Sequence, residues 1–404
     1  TDQSFDSFVL DIVENLRSNG CKSYIISECV KTTDKSRFEK IGVDCGGQGI
    51  MAKKGEQFLF YISGLNIKAA NILKQDALSI GADLAVSKDM ASMSADFTNA
   101  LLICNKSQLE KLIKKESIQP FGLKKIADGL KVYLSSSNLK SPQIMGILNI
   151  NEDSFFEKSR TSESVFCDRF LQTVDDGADI IDIGAVSSRP GSVYCGEDEE
   201  LRRLSPIFES IQKNSLFKSA DISVDTFSPK AAKAALDAGC KIINDICGLE
   251  SDELAEIAGK YSAKVVIMHK KGETATMQNS PSYDDIFGEV SEFFKDRIQK
   301  AVKYGIKDIV LDVGIGFGKS LSHNTALIKH LGDFKKFGFE LLVGASRKSM
   351  IGSITGKNTA DRLAGTLAVH QKALDYGADI IRCHDVKEHA DMLKVWTAFK
   401  NQSI

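Results

Sequence analysis

Residues 177–182 read Gly-Ala-Asp-Ile-Ile-Asp, and residues 377–382 repeat this stretch as Gly-Ala-Asp-Ile-Ile-Arg. In both copies a helical pattern ends at the glycine, a small residue and an acidic residue follow, and a short β-branched run ends in a polar residue. Glycine ends a helix readily because it adopts the left-handed conformation at little steric cost. The stretch therefore indicates a repeating unit of helix, turn and buried strand.

The same unit recurs along the chain, so the sequence predicts eight strands separated by helices. Strands that alternate with helices form a parallel sheet, and eight such units match a (β/α)8 TIM barrel, whereas a doubly wound open sheet more often has five or six strands. The predicted strands span residues 143–149, 178–184, 220–225, 240–245, 263–268, 307–312, 339–345 and 378–383. The clearest helical patterns between them span residues 163–176, 229–238, 286–304 and 361–376.

A polar linker separates a smaller first domain from this barrel. Residues 135–142 read Ser-Ser-Ser-Asn-Leu-Lys-Ser-Pro, which continues neither a helix nor a strand. We therefore expect an N-terminal α/β domain over residues 1–140 and the barrel over residues 142–404. The first domain contains no histidine, and a structural or dimer-forming role is its simplest interpretation. Its strand-like patterns span 57–62, 83–86, 99–104 and 131–134, and its helical patterns span 65–80 and 107–116.

The composition is that of a soluble globular protein, with 43% hydrophobic and 26% charged residues among 404. The 52 basic and 54 acidic side chains leave no basic excess of the kind that nucleic-acid binding requires. The nine cysteines form no CxxC pair, which favours a reducing compartment, and no apolar run is long enough to span a membrane. We expect a cytoplasmic protein that binds neither nucleic acid nor membranes.

Polar side chains stand at or just after the carboxyl end of every predicted barrel strand. In a TIM barrel these ends and the following loops form the active site, so residues from distant strands converge on one face. Singly, each has an ordinary explanation, such as a helix N-cap or a surface histidine. Together, amides and carboxylates match the edge of a flat heterocycle and the cations suit an anion, which predicts a nitrogen-rich ring bearing phosphate. The set comprises Asn149, Asp182, Asp225, Asn244, Asp245, His269, Asp312, Lys348, Arg382, His384 and Asp385.

A glycine-rich segment, residues 314–320, reads Gly-Ile-Gly-Phe-Gly-Lys-Ser. It is not a nucleotide-binding loop, because a P-loop requires glycine where Val313 stands and Gly318 comes one position too early for GxGxxG. We interpret the segment as a loop whose glycines let the backbone approach a planar ligand, with Phe317 against that ligand.

The polar strand ends lie in motifs that resemble those of the dihydropteroate synthase family, in family order from residue 143 to about residue 396. The resemblance implies a transferase of folate biosynthesis that joins p-aminobenzoate to 6-hydroxymethyl-7,8-dihydropterin diphosphate, releases diphosphate, uses Mg2+ and is a target of sulfonamides. We further expect a homodimer. The motifs are Met145-Gly-Ile-Leu-Asn149, Ile180-Ile-Asp-Ile-Gly184, Ser188-Arg189-Pro190-Gly191, Ser223-Val-Asp225-Thr226, Ile243-Asn244-Asp245, Asp312 to Lys319, Ser346-Arg347-Lys348-Ser349 and Arg382-Cys383-His384-Asp385.

The resemblance also implies a role for each predicted site residue. The expected catalytic residues, which stabilise the departing diphosphate without a covalent nucleophile, are Asn149, Lys348, Arg382 and His384. The pterin-binding residues are Asp225, Asn244, Met268, Asp312, Phe317, Lys348 and Arg382. The diphosphate-binding residues are Asn149, Arg382 and His384, with Asn149 also the ligand to Mg2+. The p-aminobenzoate-binding residues are Ser188, Arg189, Pro190 and Ser349.

The chain departs from the usual family pattern mainly in its loops. Residues 149–157 read Asn-Ile-Asn-Glu-Asp-Ser-Phe-Phe-Glu, without the proline that is usual in the first loop, and Ser188 stands where threonine is usual. Neither change removes a predicted pterin or diphosphate contact, so an active synthase is the first hypothesis. The alternatives are a methyltransferase that moves a methyl group from methyltetrahydrofolate to a corrinoid, and a pterin-binding protein without catalysis.

Overall fold

A computed structural model describes most of the chain, and it divides the chain into two compact units, residues 1–138 with 403–404 and residues 139–402. Most of the predicted linker, residues 136–140, lies outside the described residues. The described residues are 43–55, 57–88, 96–135, 141–150, 161–186, 192, 194–273, 276–278 and 280–401.

The first unit is a small α/β structure built on an antiparallel sheet. Its strands are β1 (Gln57–Asn66), β2 (Asp83–Val86) and β3 (Phe97–Asn105), in the order β1-β3-β2. Leucines from the helices and from β3 form its core, and Asn105 begins a helix through a capping box with Gln108. The helices are α1 (Cys45–Gly55), α2 (Ile67–Ser79), α3 (Lys106–Glu116) and α4 (Leu123–Ser135).

The predicted strand at residues 131–134 is wrong, because these residues form the last turn of α4. Leu130 and Leu134 pack in the same core as Leu123 and Ile126, and this spacing follows the helical period of 3.6 residues. A short apolar run read alone does not distinguish a strand from the end of an amphipathic helix. The other two helical and three strand predictions in this unit are confirmed.

The second unit is a closed barrel of eight parallel strands, which confirms the predicted fold. The strands follow one another around the barrel in sequence order, and every observed end lies within two residues of its predicted position. They are β4 (Gln143–Asn149), β5 (Ile180–Gly184), β6 (Asp221–Asp225), β7 (Ile242–Asp245), β8 (Lys264–Met268), β9 (Ile309–Asp312), β10 (Glu340–Val343) and β11 (Ile380–Cys383).

Helices surround this barrel and bury its outer face. They are α5 (Thr161–Asp175), α6 (Glu197–Lys213), α7 (Pro229–Asp237), α8 (Asp252–Lys260), α9 (Ile286–Lys303), α10 (Leu321–Lys329), α11 (Ser349–Thr355), α12 (Leu363–Asp375) and α13 (Val386–Asn401). Among the described residues, no helix combines the length and the apolar character that a membrane crossing requires.

An apolar layer fills the inside of the barrel below the carboxyl ends of the strands. Side chains alternate along a strand, so the residue two positions after a member of this layer also points into the barrel. On several strands that residue is polar, as in Asp182 after Ile180 and Asn244 after Ile242. The polar groups therefore rest on a packed apolar floor. This layer consists of Met145, Ile180, Ile242, Val266, Val310, Leu342 and Ile380.

Candidate active site

Arg382, near the end of β11, connects three of the strand ends above this floor. Its guanidinium donates to Asp182 at 2.6 Å and to Asp225 at 2.8 Å. The Asn244 amide donates to the same Asp182 oxygen at 3.0 Å. The structure therefore brings the predicted residues Asp225, Asn244 and Arg382 together, and it adds Asp182, to which the sequence analysis assigned no role.

Burial controls the charge balance of this group. Burial raises the pKa of Asp225 to about 7, although the positive charge of Arg382 opposes the shift. Burial alone would lower the pKa of Arg382, but the carboxylates of Asp182 and Asp225 outweigh it and raise that pKa. The guanidinium therefore stays charged, whereas burial favours the protonated form of Asp225.

Asp312 and the glycine-rich loop form the opposite side of the group. The Asp312 carboxylate accepts a hydrogen bond from the backbone N–H of Gly314 at 2.8 Å. Gly314 has a φ of 67°, and a Cβ there would lie 1.9 Å from the carbonyl oxygen of His269. Only glycine fits this position, so the loop conformation that holds Asp312 depends on it. Burial raises the pKa of Asp312, with Lys348 as the main opposing charge.

Lys348 and Phe317 face each other beside Asp312. The Lys348 ammonium lies 4.5 Å from the centroid of the Phe317 ring and donates to the carbonyl oxygen of Ile315. Burial lowers the pKa of Lys348 to about 8, and the negative charge of Asp312 opposes the shift. Lys348 thus remains mostly protonated at neutral pH.

An apolar wall stands beside these polar groups. Met268 and Phe317 belong to one buried cluster that also contains Ile246 and Met277. Both are buried, with exposed fractions of 3% and 7%. A site with one apolar wall and a polar edge suits a flat heterocycle that hydrogen-bonds only along its rim.

The residues predicted to hold the diphosphate and Mg2+ lie at the ends of β4 and β11. His384 is exposed, and its Nδ1 lies 3.0 Å from the hydroxyl of Ser346. A Cβ on Gly184 would lie 3.7 Å from Oδ2 of Asp225 and 3.8 Å from Oδ1 of Asn149. The absence of a side chain at Gly184 therefore leaves space beside Oδ1 of Asn149, a hard oxygen donor of the kind that Mg2+ prefers, whereas Oδ2 of Asp225 already accepts from Arg382. No group of three acidic, histidine or cysteine side chains in the described ranges is arranged to hold a metal ion by itself.

The predicted p-aminobenzoate residues are only partly described. Ser188, Arg189 and Pro190 lie outside the described residues, as do residues 151–160 of the first loop. Ser349 is exposed and is the first residue of α11, directly after Lys348.

A buried Lys319–His269 pair is a feature that the sequence analysis missed. Nζ of Lys319 lies 2.9 Å from Nδ1 of His269 and also donates to the carbonyl oxygens of His269 and Phe317. Burial lowers the pKa of Lys319 to about 7 and that of His269 to about 2. Lys319 follows the last glycine of the glycine-rich segment. A lysine next to so many apolar residues and glycines could have indicated a buried ammonium group.

The comparisons with known proteins match this architecture. A family model described as "Pterin binding enzyme" matches residues 145–384. A bifunctional dihydropteroate synthase/dihydropteroate reductase from Helicobacter pylori is 42% identical over 366 residues, which cover 91% of this chain and 96% of that protein. The dihydropteroate synthase of Escherichia coli is 39% identical over 264 residues, which cover 65% of this chain and 93% of that protein.

Two solved structures resemble the barrel closely. The dihydropteroate synthase of Yersinia pestis in a sulfonamide complex is 37% identical with a TM-score of 0.60, and the match covers 65% of this chain and 96% of that one. The Xanthomonas albilineans enzyme with 4-aminobenzoic acid is 36% identical with a TM-score of 0.59, over 65% of this chain and 95% of that one. The chain therefore belongs to the dihydropteroate synthase family of pterin-binding enzymes, which are transferases of folate biosynthesis.

Proposed function

We propose that the mouth of this barrel binds 6-hydroxymethyl-7,8-dihydropterin diphosphate through its pterin ring and transfers the whole pterinylmethyl group to the amine of p-aminobenzoate, with diphosphate as the leaving group. The observation that carries this proposal is the grouping of Asp225, Asn244 and Asp312 with the cations of Lys348 and Arg382 above one apolar floor. The activity as a dihydropteroate synthase follows from the family, and the role of each residue is our proposal.

In this proposal polar side chains, together called the rim, form hydrogen bonds with the edge of the pterin, and the apolar wall packs against its faces. Asp312 accepts from a ring N–H and the exocyclic amine together, and Asp225 and Asn244 bind further along the rim. Met268 and Phe317 pack against the ring. A buried carboxylate that loses such a partner stays unsatisfied, so the rim rejects heterocycles with a different donor pattern.

The diphosphate lies toward Asn149, Arg382 and His384. Asn149 would hold Mg2+ through Oδ1, with phosphate and water oxygens as the remaining ligands, and the ion would neutralise charge on the leaving group. The space at Gly184 supports this placement, since Oδ1 of Asn149 faces it.

The chain's own residues lower the barrier by fixed positive charge. The bond between the methylene carbon and the diphosphate oxygen breaks, and its electron pair leaves with diphosphate. The amine nitrogen of p-aminobenzoate then forms the new C–N bond and loses a proton to solvent. Arg382 and Lys348 are already oriented before reaction, so their interaction with the departing diphosphate strengthens as negative charge develops.

The second substrate is placed beside Ser349 and the segment that contains Ser188, Arg189 and Pro190. The related structures with 4-aminobenzoic acid and with a sulfonamide support this class of ligand. We therefore propose that sulfonamides compete with p-aminobenzoate here. A higher KM for p-aminobenzoate in Ser188→Ala, with the KM for the pterin substrate unchanged, would support the assignment.

Turnover of the purified chain tests this function directly. We expect release of diphosphate from the pterin substrate only when p-aminobenzoate and Mg2+ are both present, and loss of turnover with EDTA that excess Mg2+ restores. Calorimetric binding of the pterin without turnover would favour a catalytically silent protein. Methyl transfer from methyltetrahydrofolate to a corrinoid would favour the methyltransferase alternative.

The lengths over which two relatives match this chain point to a second activity. The bifunctional Helicobacter pylori protein matches 91% of this chain, whereas the Escherichia coli synthase matches 65%. We propose that the N-terminal unit contributes to a dihydropteroate reductase activity, in which a reduced nicotinamide or flavin gives a hydride to a C=N bond of dihydropteroate and solvent gives a proton. Formation of tetrahydropteroate by the full chain, followed by mass spectrometry, tests it; its absence with both donors would contradict it.

A further inference from the structure

Two buried histidines near the site, His370 and His389, form a hydrogen-bonded chain, here called the relay. The groups at its two ends determine which nitrogen donates in each hydrogen bond. The backbone N–H of Ala345 donates to Nε2 of His370 at 2.9 Å. Nδ1 of His370 lies 2.8 Å from Nε2 of His389, and Nδ1 of His389 lies 2.6 Å from the carbonyl oxygen of Asp385. Both imidazoles are fully buried.

The two ends leave a single arrangement of protons. A backbone N–H can only donate, so Nε2 of His370 must accept and its Nδ1 must carry the hydrogen. That hydrogen points at Nε2 of His389, so His389 also carries its hydrogen on Nδ1 and donates to the Asp385 carbonyl. A second proton on either ring would place two N–H groups against each other. Both histidines must therefore be neutral and in the same tautomer.

The two histidines join the loop after β10, which carries Lys348, to the loop after β11, which begins just beyond Arg382. Ala345 lies three residues before Lys348, and Asp385 lies three residues after Arg382. The loop after β10 is further held by α12, because the Arg347 N–H donates to the hydroxyl of Thr366 at 3.0 Å. The Arg347 guanidinium donates to both carboxylate oxygens of Asp385, at 3.0 and 2.5 Å, which closes a ring of contacts between the loops.

These contacts hold a strained backbone. Arg347 has a φ of 56°, a left-handed conformation that costs energy in a non-glycine residue and persists only when its surroundings impose it. Lys348 follows directly, so its position over Phe317 depends on that conformation.

We propose that His370 and His389 are positioning residues that lock the Lys348 loop against the carboxyl end of β11 and the loop that follows it, where Arg382 and His384 lie. This inference rests on the proposed roles of Lys348 and Arg382. The histidines touch no substrate; they act by satisfying the Ala345 N–H and by fixing the distance between the two loops. The charged or titratable groups around them are Lys348 beside His370, and Asp385 and Glu388 beside His389.

Two variants of His370 separate anchoring from filling space. His370→Gln places an acceptor oxygen where Nε2 lies and keeps the Ala345 contact, whereas His370→Asn places its amide near Nδ1 and leaves the Ala345 N–H unsatisfied. We expect His370→Asn to raise the KM for the pterin substrate about tenfold and His370→Gln to restore it to within about threefold. The exposed His330, changed to Gln, serves as the control.

Nitrogen-15 NMR of histidine-labelled protein supplies the readout that does not depend on substrate. We expect both rings to be neutral Nδ1–H tautomers at pH 7. A protonated ring, the opposite tautomer, or an equal KM in the Asn and Gln variants would overturn the proposal. An unchanged pterin KM in Lys348→Ala would instead contradict the proposed role of Lys348, and the tautomers would still test the relay.

Discussion

The Arg382 guanidinium and the Asp182 carboxylate meet at 2.6 Å although 200 residues separate them in the chain. This contact joins the last strand of the barrel to the second strand, past β4, which lies between them. Asp182 is fully buried, and its other oxygen, Oδ1, has no hydrogen-bond partner in the part of the chain that the structure describes. Asp182 thus holds both Arg382 and Asn244 through one oxygen.

Replacing Asp182 by asparagine should damage the site more than the fold. The variant keeps the shape and leaves Arg382 paired with Asp225, but it removes one of the two charges that orient the guanidinium, and a hydrogen bond to a charged group contributes about 1.5 to 3 kcal/mol. We expect a loss of kcat/KM for the pterin substrate of about 100-fold or more, measured by diphosphate release. Asp221→Asn, at an exposed ion pair on β6, is the matched control and should change kcat/KM little. Equal effects of the two substitutions would remove Asp182 from the site.

Lys348→Ala should weaken pterin binding, because it removes the cation beside Asp312 and the contact over Phe317. Without that cation the buried Asp312 takes up a proton more readily, so the variant should lose further affinity as the pH falls. We expect at least a tenfold rise in the dissociation constant by calorimetry. Lys394→Ala, on the exposed face of α13, should leave the dissociation constant unchanged.

The glycine at position 314 can be tested against a glycine of similar conformation. Gly305 has a φ of 79°, and no atom in the described part of the chain lies within 4 Å of where its Cβ would stand, whereas a Cβ at Gly314 meets the His269 carbonyl. Gly305→Ala should therefore cost only about 1 to 2 kcal/mol of unfolding free energy from backbone strain. Gly314→Ala should cost clearly more in urea denaturation and should also reduce pterin affinity. Similar losses in both variants would mean that the contact with His269 is readily relieved.

Glu116, at the end of α3, should make the N-terminal unit less stable as the pH rises. It is fully buried, and no hydrogen-bond donor among the described residues reaches either of its carboxylate oxygens. Burial, with a smaller contribution from Asp76, raises its pKa from 4.5 to about 7. The folded state therefore keeps a proton that the unfolded chain releases, and stability falls as the pH rises from about 4.5 to 7.

Glu116→Gln removes that dependence. We expect the variant to unfold at nearly the same urea concentration as the parent chain at pH 4 and at a higher one at pH 8. Glu110→Gln, at a partly exposed position earlier on α3, should show no such growing difference. If the difference in urea midpoint between Glu116→Gln and the parent chain shrank as the pH rose, the pKa of Glu116 could not be raised in the folded state.

Strand and helix periodicity was enough to predict the barrel because each strand must bury an apolar run between helices. This requirement produces a hydrophobic pattern over a few neighbouring residues, which can be recognised in the sequence. The same local signal explains the one wrong element, residues 131–134, where helical and strand patterns coincide over four residues. The polar strand ends were also predictable, since a barrel places all of them on one face.

The partners within that face could not be predicted from the sequence. Asp182 carried no signal that separated it from an N-cap, and the His370–His389 contact joins two helices, α12 and α13, that sequence spacing does not relate. Which carboxylate pairs with Arg382, and which imidazole nitrogen carries a proton, depends on distances of less than 3 Å between residues far apart in the chain. The sequence by itself determined the barrel and the list of groups at its mouth. Only the closed tertiary structure decided which of those groups are buried, paired and oriented, because burial and hydrogen-bond geometry arise when distant strands meet.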